Sequence, residues 1–308
     1  MITVVTLLAG IIAAGTGGEL FVRGAVGIAA WARVPAAIIA VTVAAFATSS
    51  PELFVALSAA ANDTPALAFG DALGSNVANV GLILGLALLI HPVIAEHDTV
   101  RRDLPVAVAV PFLIFALIVD GTMSRVDGVV LLAVFTAWLG VTVRHARRAR
   151  ADSVAVPGER NRGRAVLLVG VGLVLLVVAG RLIVVAAGAI GDGLGLDPFV
   201  VGATFVAFGT SMPELATVLA AGLRGHEEIG LGAVIGSNIF NGLWIIGVVA
   251  VLSPFDVALD EAALSLAAGA LSILLLVPGR RLALGRWRGV ALLGLYVGFV
   301  ALVVAAGG

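Results

Sequence analysis

The sequence contains no cysteine, which excludes disulfide bonds, thiolate metal sites and cysteine nucleophiles. It also contains no lysine, and all 18 of its lysine or arginine residues are arginine. Schiff-base chemistry and lysine-dependent phosphate loops are therefore excluded. Charged residues make up only 12% of the 308 residues, whereas hydrophobic residues make up 61% and the mean hydropathy is +1.16. This composition is too apolar for a soluble domain and indicates a membrane protein.

Apolar stretches of about 20 residues, the length needed to cross a bilayer, occur ten times along the chain. We therefore predict an all-α membrane protein with ten transmembrane helices near residues 2–30, 36–60, 66–90, 104–120, 126–144, 165–190, 198–222, 229–252, 260–277 and 289–306. An arginine-rich linker at residues 145–164 separates a first five-helix repeat at 1–144 from a second at 165–308.

The distribution of arginine predicts how the chain is oriented. In this arrangement 16 of the 18 arginines fall in or beside the connections on one side of the membrane, and only Arg125 falls on the other side. Because positive residues favour the cytoplasm, we expect both termini outside, a cytoplasmic linker and a location in the cell inner (plasma) membrane. The remaining Arg181 is expected to snorkel or to be paired, and Glu19 is expected to pair with Arg23 on one helix face.

The two halves share a motif at a constant offset of 162 residues. Residues 45–53 (AFATSSPEL) match residues 207–215 (AFGTSMPEL), and residues 74–79 (GSNVAN) match residues 236–241 (GSNIFN). The two copies are five predicted spans apart, and since five is odd, the second copy enters the membrane upside down. This pattern predicts an inverted-topology repeat, which secondary transporters use to build a binding site near the membrane midplane.

Each copy places one carboxylate deep in a predicted span, at Glu52 and Glu214. An ionised carboxylate is costly at that depth, so it indicates function. Pro51 and Pro213, beside the two acids, each leave one backbone carbonyl without its helical donor. Hydroxyl and amide side chains are expected on the same helix faces or opposite them: Thr48, Ser49, Ser75, Asn79, Thr210, Ser211, Ser237 and Asn241. Oxygen ligands of this kind suit calcium and sodium.

Other candidate sites are less well supported. His91, Glu96, His97 and Asp98 could contact a metal, but a solvated cytoplasmic loop is the better interpretation. The glycine-rich stretches match no complete nucleotide-binding motif, and Ser211 lacks the sequence context of a hydrolase nucleophile. We therefore expect no enzymatic activity, no cofactor apart from the transported ions, and no nucleic-acid partner.

The paired Thr-Ser-x-Pro-Glu segments, each followed by Gly-Ser-Asn, resemble the two alpha repeats of the sodium/calcium exchanger branch of the calcium/cation antiporter superfamily. The resemblance implies calcium binding by Glu52 and Glu214 with carbonyls at Thr48 and Thr210. It implies sodium sites that reuse both acids and add Ser49, Ser211, Ser75, Ser237 and carbonyls near Ala45 and Ala207. Helices 1 and 6 would slide across this core. Asn79 fits the family pattern, whereas Asn241 stands where an acid is usual.

We therefore expect a secondary active antiporter that exchanges calcium for sodium by alternating access, functional as a monomer in the lipid bilayer. A calcium/proton exchanger is an alternative, although its motif usually carries Gly-Asn where Thr-Ser stands here. A passive cation channel, from a different class, would share the acids and the repeat. With Asn79 and Asn241 neutral, Glu52 and Glu214 supply a formal charge of about −2, which predicts electroneutral exchange of about two sodium ions for one calcium ion.

Overall fold

The computed structural model describes residues 2–31, 49–148, 161–223, 227–279 and 282–306. The α-helices in this part of the chain are α1 (Ile2–Trp31), α2 (Ser50–Ala61), α3 (Pro65–Val77), α4 (Gly85–Ile90), α5 (Leu104–Leu117), α6 (Arg125–Arg148), α7 (Arg162–Leu194), α8 (Pro198–Val201), α9 (Ala207–Thr210), α10 (Met212–Leu223), α11 (Glu227–Ile239), α12 (Ile246–Leu252), α13 (Leu259–Leu274) and α14 (Arg286–Ala306). Four segments are π-helical: Ala78–Leu84, Thr99–Asp103, Gly202–Val206 and Phe240–Ile245.

Helix covers at least part of every predicted span within the described residues. Among the described residues, seven helical stretches are long and apolar enough to cross a membrane: Ile2–Ile28, Pro65–Ile90, Arg125–His145, Arg162–Leu194, Pro198–Leu219, Gly230–Leu252 and Arg286–Ala306. Of the other three predicted spans, α2 is the described end of the span at 36–60, and α5 and α13 have 14 and 16 residues. The chain is therefore a multi-pass helical membrane protein, and the count of ten spans remains a prediction.

Local sequence signals explain where several helices begin and end. Asn161 accepts a hydrogen bond from the Arg164 amide at the start of α7, and Asp197 accepts one from the Phe199 amide at the start of α8. Side chains of this type satisfy amides that have no partner in the first helical turn. Gly195 ends α7 with a φ of 68°, a left-handed conformation that glycine adopts at little cost.

The centre of the molecule is formed by two equivalent helical stretches, Pro65–Ile90 and Gly230–Leu252. In their most apolar windows, 72% and 78% of the residues are buried, compared with 22% for α1 and 33% for α7. The central stretches carry the two Gly-Ser-Asn motifs, and each contains a π-helical segment immediately after its motif. The repeated motif therefore lies in the core, while α1 and α7 lie at the periphery.

Two short strand pairs join the halves of the chain. Strand β1 (Val93–Ile94) pairs with β4 (Ala283–Leu284), and β2 (Thr122–Met123) pairs with β3 (Phe255–Asp256), both antiparallel. Helix α5 lies between β1 and β2 in the chain, so the two pairs lie at opposite ends of it. Strands β1 and β3 are 162 residues apart, which makes them repeat equivalents, yet they belong to different pairs. Equivalent strands thus lie at opposite ends of the molecule, which is the geometry of an inverted repeat.

The long helices α1 and α7 pack against each other through glycine. A Cβ atom added to Gly172 would lie 2.7 Å from the carbonyl oxygen of Gly17 and 2.5 Å from the amide nitrogen of Phe21. Small residues allow this close backbone approach between membrane helices. The outer surface of α7 exposes large apolar side chains such as Leu167, as expected for a helix that faces lipid.

Two expectations about charges outside the core can be compared with the structure. Glu19 and Arg23 form the predicted ion pair on α1, with a nitrogen–oxygen distance of 3.3 Å between exposed side chains. The side chain of Arg181 is exposed on α7, in agreement with the snorkelling interpretation.

Candidate ion-binding site

In both copies the Pro-Glu pair lies in the first turn of a helix. Glu52 is in the first turn of α2, which begins after Ser49, and Glu214 is in the first turn of α10. In the second copy a single turn residue, Ser211, lies between α9 and α10 within the continuous stretch Pro198–Leu219. Pro213 explains this turn because it cannot donate to the Gly209 carbonyl.

Every predicted site residue in the described part of the chain is buried. Glu52 has no exposed surface and Glu214 is 2% exposed. The same holds for the remaining predicted ligands in this part of the chain: Ser49, Ser75, Asn79, Ala207, Thr210, Ser211, Ser237 and Asn241. Ala45 and Thr48 lie outside the described residues, so their predicted role as carbonyl ligands is not tested.

The fold brings predicted residues from the two halves together. The hydroxyl oxygens of Ser75 and Thr210, which are 135 positions apart, lie 3.4 Å from each other. The Ser237 hydroxyl donates to Oε1 of Glu214 over 3.4 Å. Glu214 is also one of the two charged neighbours that act electrostatically on Glu52. The two acids therefore belong to one buried site between the repeats.

Several buried oxygen atoms of this site have no hydrogen-bond partner among the residues that the structure describes. They are Oγ of Ser49, both carboxylate oxygens of Glu52, Oδ1 of Asn79, Oγ of Ser211 and Oδ1 of Asn241. Leaving such groups buried and unpaired is costly, and a bound cation would remove that cost. The set consists of carboxylate, hydroxyl and amide oxygens, which are the ligand types that calcium and sodium prefer.

Asp71 is a further acid of this site, and the sequence analysis missed it. Its side chain is 1% exposed, and its Oδ1 atom accepts hydrogen bonds from the hydroxyls of Ser75, at 3.2 Å, and Thr210, at 3.1 Å. It is the second charged neighbour of Glu52. A search for duplicated residues could not find it, because its repeat equivalent is Ala233. Its spacing of four residues before Ser75, on the same helix face, was the available signal.

Asn76 and Asn238 connect the two central helices beside the acids. The Asn76 side-chain amide donates to the Asn238 carbonyl over 3.2 Å, and that of Asn238 donates to the Asn76 carbonyl over 2.9 Å. Asn238 also accepts a hydrogen bond from the side chain of Asn79 through its Oδ1 atom, at 3.1 Å. These bonds fix the relative position of the two Gly-Ser-Asn motifs.

Glycine allows the helices around the site to approach closely. A Cβ atom on Gly74 would overlap the carbonyl oxygen of Ala203, and one on Gly70 would overlap that of Phe199. Gly74 therefore allows α3 to pack closely against the π-helical segment Gly202–Val206. For its equivalent Gly236, no described atom lies within 4 Å of such a Cβ position.

The three carboxylates do not form one compact cage. Within the described ranges, no group of three histidine, aspartate or glutamate side chains is placed to hold a single metal ion together. This includes His91, Glu96, His97 and Asp98, the alternative metal-binding residues considered from the sequence.

Comparisons with known proteins agree with this geometry. Residues 2–144 and 164–305 match the family model described as sodium/calcium exchanger protein. The chain is 36% identical over 233 residues to the inner membrane protein YrbG of Escherichia coli (strain K12), covering 73% of this chain and 72% of the relative. It is 28% identical over 346 residues to the sodium/calcium exchanger MaX1 of Methanosarcina acetivorans, covering 97% and 98%.

A solved structure shows a similar fold. The sodium-calcium exchanger NCX_Mj, soaked with 2.5 mM Na⁺ and 0.1 mM Ca²⁺, superposes with a TM-score of 0.67 at 32% sequence identity. The match covers 98% of both chains, so the similarity extends over the whole fold.

Proposed function

Because this chain belongs to the sodium/calcium exchanger protein family, whose members are cation antiporters and not enzymes, we propose that it exchanges calcium for sodium by alternating access. The transported ions would bind at a midplane site centred on Glu52 and Glu214. Thr210, Ser211 and Ser237 would add oxygen ligands from the second repeat, with the Ala207 carbonyl. Ser49, Ser75 and Asn79 would contribute from the first repeat, and Thr48 and Ala45 are proposed to add carbonyls.

The observation that carries this proposal is that two buried acids from opposite repeats are close enough to affect each other electrostatically. Glu52 and Glu214 act on each other in a region where neither is solvated, and both carboxylate oxygens of Glu52 have no hydrogen-bond partner among the described residues. Two facing carboxylates repel each other unless cations neutralise them. One divalent ion or two monovalent ions can do this, and that equivalence allows calcium and sodium to compete for one site.

The peripheral helices α1 and α7 are proposed to move during the cycle. They are packed against each other through Gly17 and Gly172, and each contacts the motif of the opposite repeat. Ile11 of α1 lies against Gly209, and Gly180 of α7 lies against the Phe54 carbonyl, two positions after Glu52. A shift of this helix pair would therefore uncover one side of the site and cover the other.

We propose that the β1–β4 end of the molecule faces the cytoplasm. Arg101 and Arg102 follow β1, and Arg286 and Arg288 follow β4. Acidic residues Asp120 and Asp260, by contrast, lie beside the β2–β3 pair. This asymmetry supports a cytoplasmic linker and outer termini through the positive-inside rule. Since one chain supplies acids from both repeats, a monomer is proposed to be sufficient for transport.

The test is calcium-45 uptake by proteoliposomes in which sodium, potassium or proton gradients are imposed in turn. Outward sodium should drive uptake, and a proton gradient alone should do little. Equal uptake with either gradient would contradict sodium coupling and favour the calcium/proton exchanger. Uptake that needs no counter-ion on the opposite side would indicate a channel.

A further inference from the structure

A small cavity lies where the four helices α3, α5, α11 and α13 meet, beside the contact between Asn76 and Asn238. It leaves about 10 Å³ for the centre of a water molecule. Three pairs of repeat equivalents, each 162 positions apart, line it: Asn76 and Asn238, Ala107 and Gly269, and Pro111 and Ile273. Because both members of each pair face the same space, the cavity lies close to the pseudo-two-fold axis that relates the repeats.

The first polar group at this cavity is the side chain of Asn76. It is 8% exposed, and its Oδ1 atom has no hydrogen-bond partner among the described residues. The equivalent oxygen, Oδ1 of Asn238, accepts a hydrogen bond from Asn79. The symmetric bond from Asn241 to Asn76 is not formed, since the side-chain nitrogen of Asn241 also has no described partner. The asparagine network is therefore complete on one side of the axis and leaves a buried acceptor on the other.

The second polar group is the hydroxyl of Ser265 on α13. Its side chain is 1% exposed, and its Oγ atom has no partner in the described part of the chain. A serine inside a helix can donate to the carbonyl four residues earlier, and Ser272 on the same helix does so, to the Ala268 carbonyl at 2.7 Å. Ser265 does not make this bond, so its hydroxyl remains available to a group in the cavity.

Pro111 adds a backbone acceptor at the same place. It lies inside α5 and lines the cavity together with Ala107. Proline has no N–H group, so the Ala107 carbonyl does not receive the hydrogen bond that the residue four positions later normally donates. Inside a membrane protein, a carbonyl freed in this way is satisfied by a neighbouring side chain or by an ordered water.

We propose that one water molecule binds in this cavity and connects α3, α5 and α13. It donates to Oδ1 of Asn76 and to the Ala107 carbonyl, and it accepts from the hydroxyl of Ser265. Buried waters typically make about three such bonds to groups that are otherwise unsatisfied, and a volume of about 10–15 Å³ is enough for one. The described lining residues include no charged side chain, which favours a neutral ligand over an ion.

The water site extends the contact between the two central helices to the helices behind them. Asn76 and Asn238 bond α3 to α11 directly, and the water joins α5 and α13 to the same point. A bond through water contributes less than a direct one, because the water has to be immobilised. The site is independent of which ions the protein transports.

The first test compares Ser265→Ala with Ser272→Ala in the purified full-length protein. Both variants replace a buried serine on α13, but only Ser265 lines the cavity. With a water bound, Ser265→Ala removes one of its partners, and the midpoint of thermal unfolding should fall by about 2 °C or more. Ser272→Ala should change the midpoint little, because a hydroxyl bonded back to its own helix adds little stability.

A dry cavity predicts the opposite sign for Ser265→Ala. The hydroxyl would then be buried without any partner, and alanine would leave the midpoint unchanged or raise it. Either result would overturn the proposal.

A high-resolution crystal structure of the wild type, grown with choline in place of sodium, gives a direct readout that needs no variant. Density for a water is expected within about 3 Å of both Oδ1 of Asn76 and Oγ of Ser265. Absence of that density, or density that appears only when sodium is present, would contradict a water site.

Discussion

Asn76 and Asn238 form a reciprocal pair in which each side-chain amide donates to the backbone carbonyl of the other. The two residues are 162 positions apart and are therefore repeat equivalents. Equivalent residues contact each other in this way at an interface with two-fold symmetry. The pseudo-two-fold axis of the molecule thus passes between α3 and α11, beside the acids.

This pair gives a prediction about stability. Asn76→Ala removes one donor, at a net cost of about 1 kcal/mol. Asn238→Ala should cost more, because Asn238 also accepts a hydrogen bond from Asn79. Thermal unfolding of the detergent-solubilised protein should therefore show a lower midpoint for Asn238→Ala than for Asn76→Ala. The reverse order would mean that the bond to Asn79 does not contribute.

The carboxylates of the site give a prediction about transport. Glu52→Gln and Glu214→Gln should each abolish calcium exchange while the protein remains folded and extractable, because calcium would lose half of its charge compensation in a buried site. Glu19→Gln, which changes an exposed residue on α1, serves as the control for the same substitution. Calcium uptake near the wild-type level in either site variant would show that the ions bind elsewhere.

The glycine contacts give a prediction about packing. Gly74→Ala places a methyl group against the Ala203 backbone, which cannot move without displacing a helix, and should destabilise the protein by about 1–3 kcal/mol. Gly140 is an exposed position on α6 with no described atom within 4 Å of its added Cβ, so Gly140→Ala should be neutral or slightly stabilising. Melting midpoints of the two variants should differ accordingly, and equal midpoints would contradict the close contact.

Asp71 also changes what is expected of membrane potential. The sequence indicated two carboxylates and electroneutral exchange, but a third ionised carboxylate raises the formal charge of the site to about −3. Three sodium ions neutralise that charge, whereas one calcium ion leaves one negative charge. Each cycle would then move one net charge, worth about 2.3 kcal/mol per 100 mV.

An inside-positive potential, clamped with potassium and valinomycin, should therefore accelerate calcium uptake by sodium-loaded proteoliposomes. The acceleration should be lost in Asp71→Asn and kept in Asp192→Asn, a matched change at an exposed aspartate near the end of α7. Uptake by the wild type that does not respond to potential would support the count of two carboxylates instead.

The sequence predicts those parts of the site that are duplicated. The constant offset between the Thr-Ser-x-Pro-Glu copies indicates Glu52, Glu214 and their inversion, because a repeat separates functional residues from the apolar background. Asp71 could not be found in this way, since no second copy marks it. Its role depends on the contact with Thr210, 139 positions away, which the tertiary fold creates.

The positions of the helices are also predicted only in part. Apolar length predicts where α1, α7 and α14 lie, because each is one uninterrupted stretch facing lipid. It does not predict the turn residue Ser211 or the π-helical segments at Ala78–Leu84 and Phe240–Ile245. These irregularities lie in the buried core, where neighbouring groups can satisfy backbone atoms that a continuous helix would pair.

The strand pairing has a consequence for the order in which the protein assembles. Strand β2 can pair with β3 once the chain has reached Asp256, but β1 has no partner until Leu284 has been synthesised. The β2–β3 pair can therefore form before the β1–β4 pair, and β1 remains unpaired while most of the second half is inserted. Such pairing over long sequence separation is slow, since the connecting chain must be ordered first. The first half, synthesised alone, would therefore lack the partners of both of its strands.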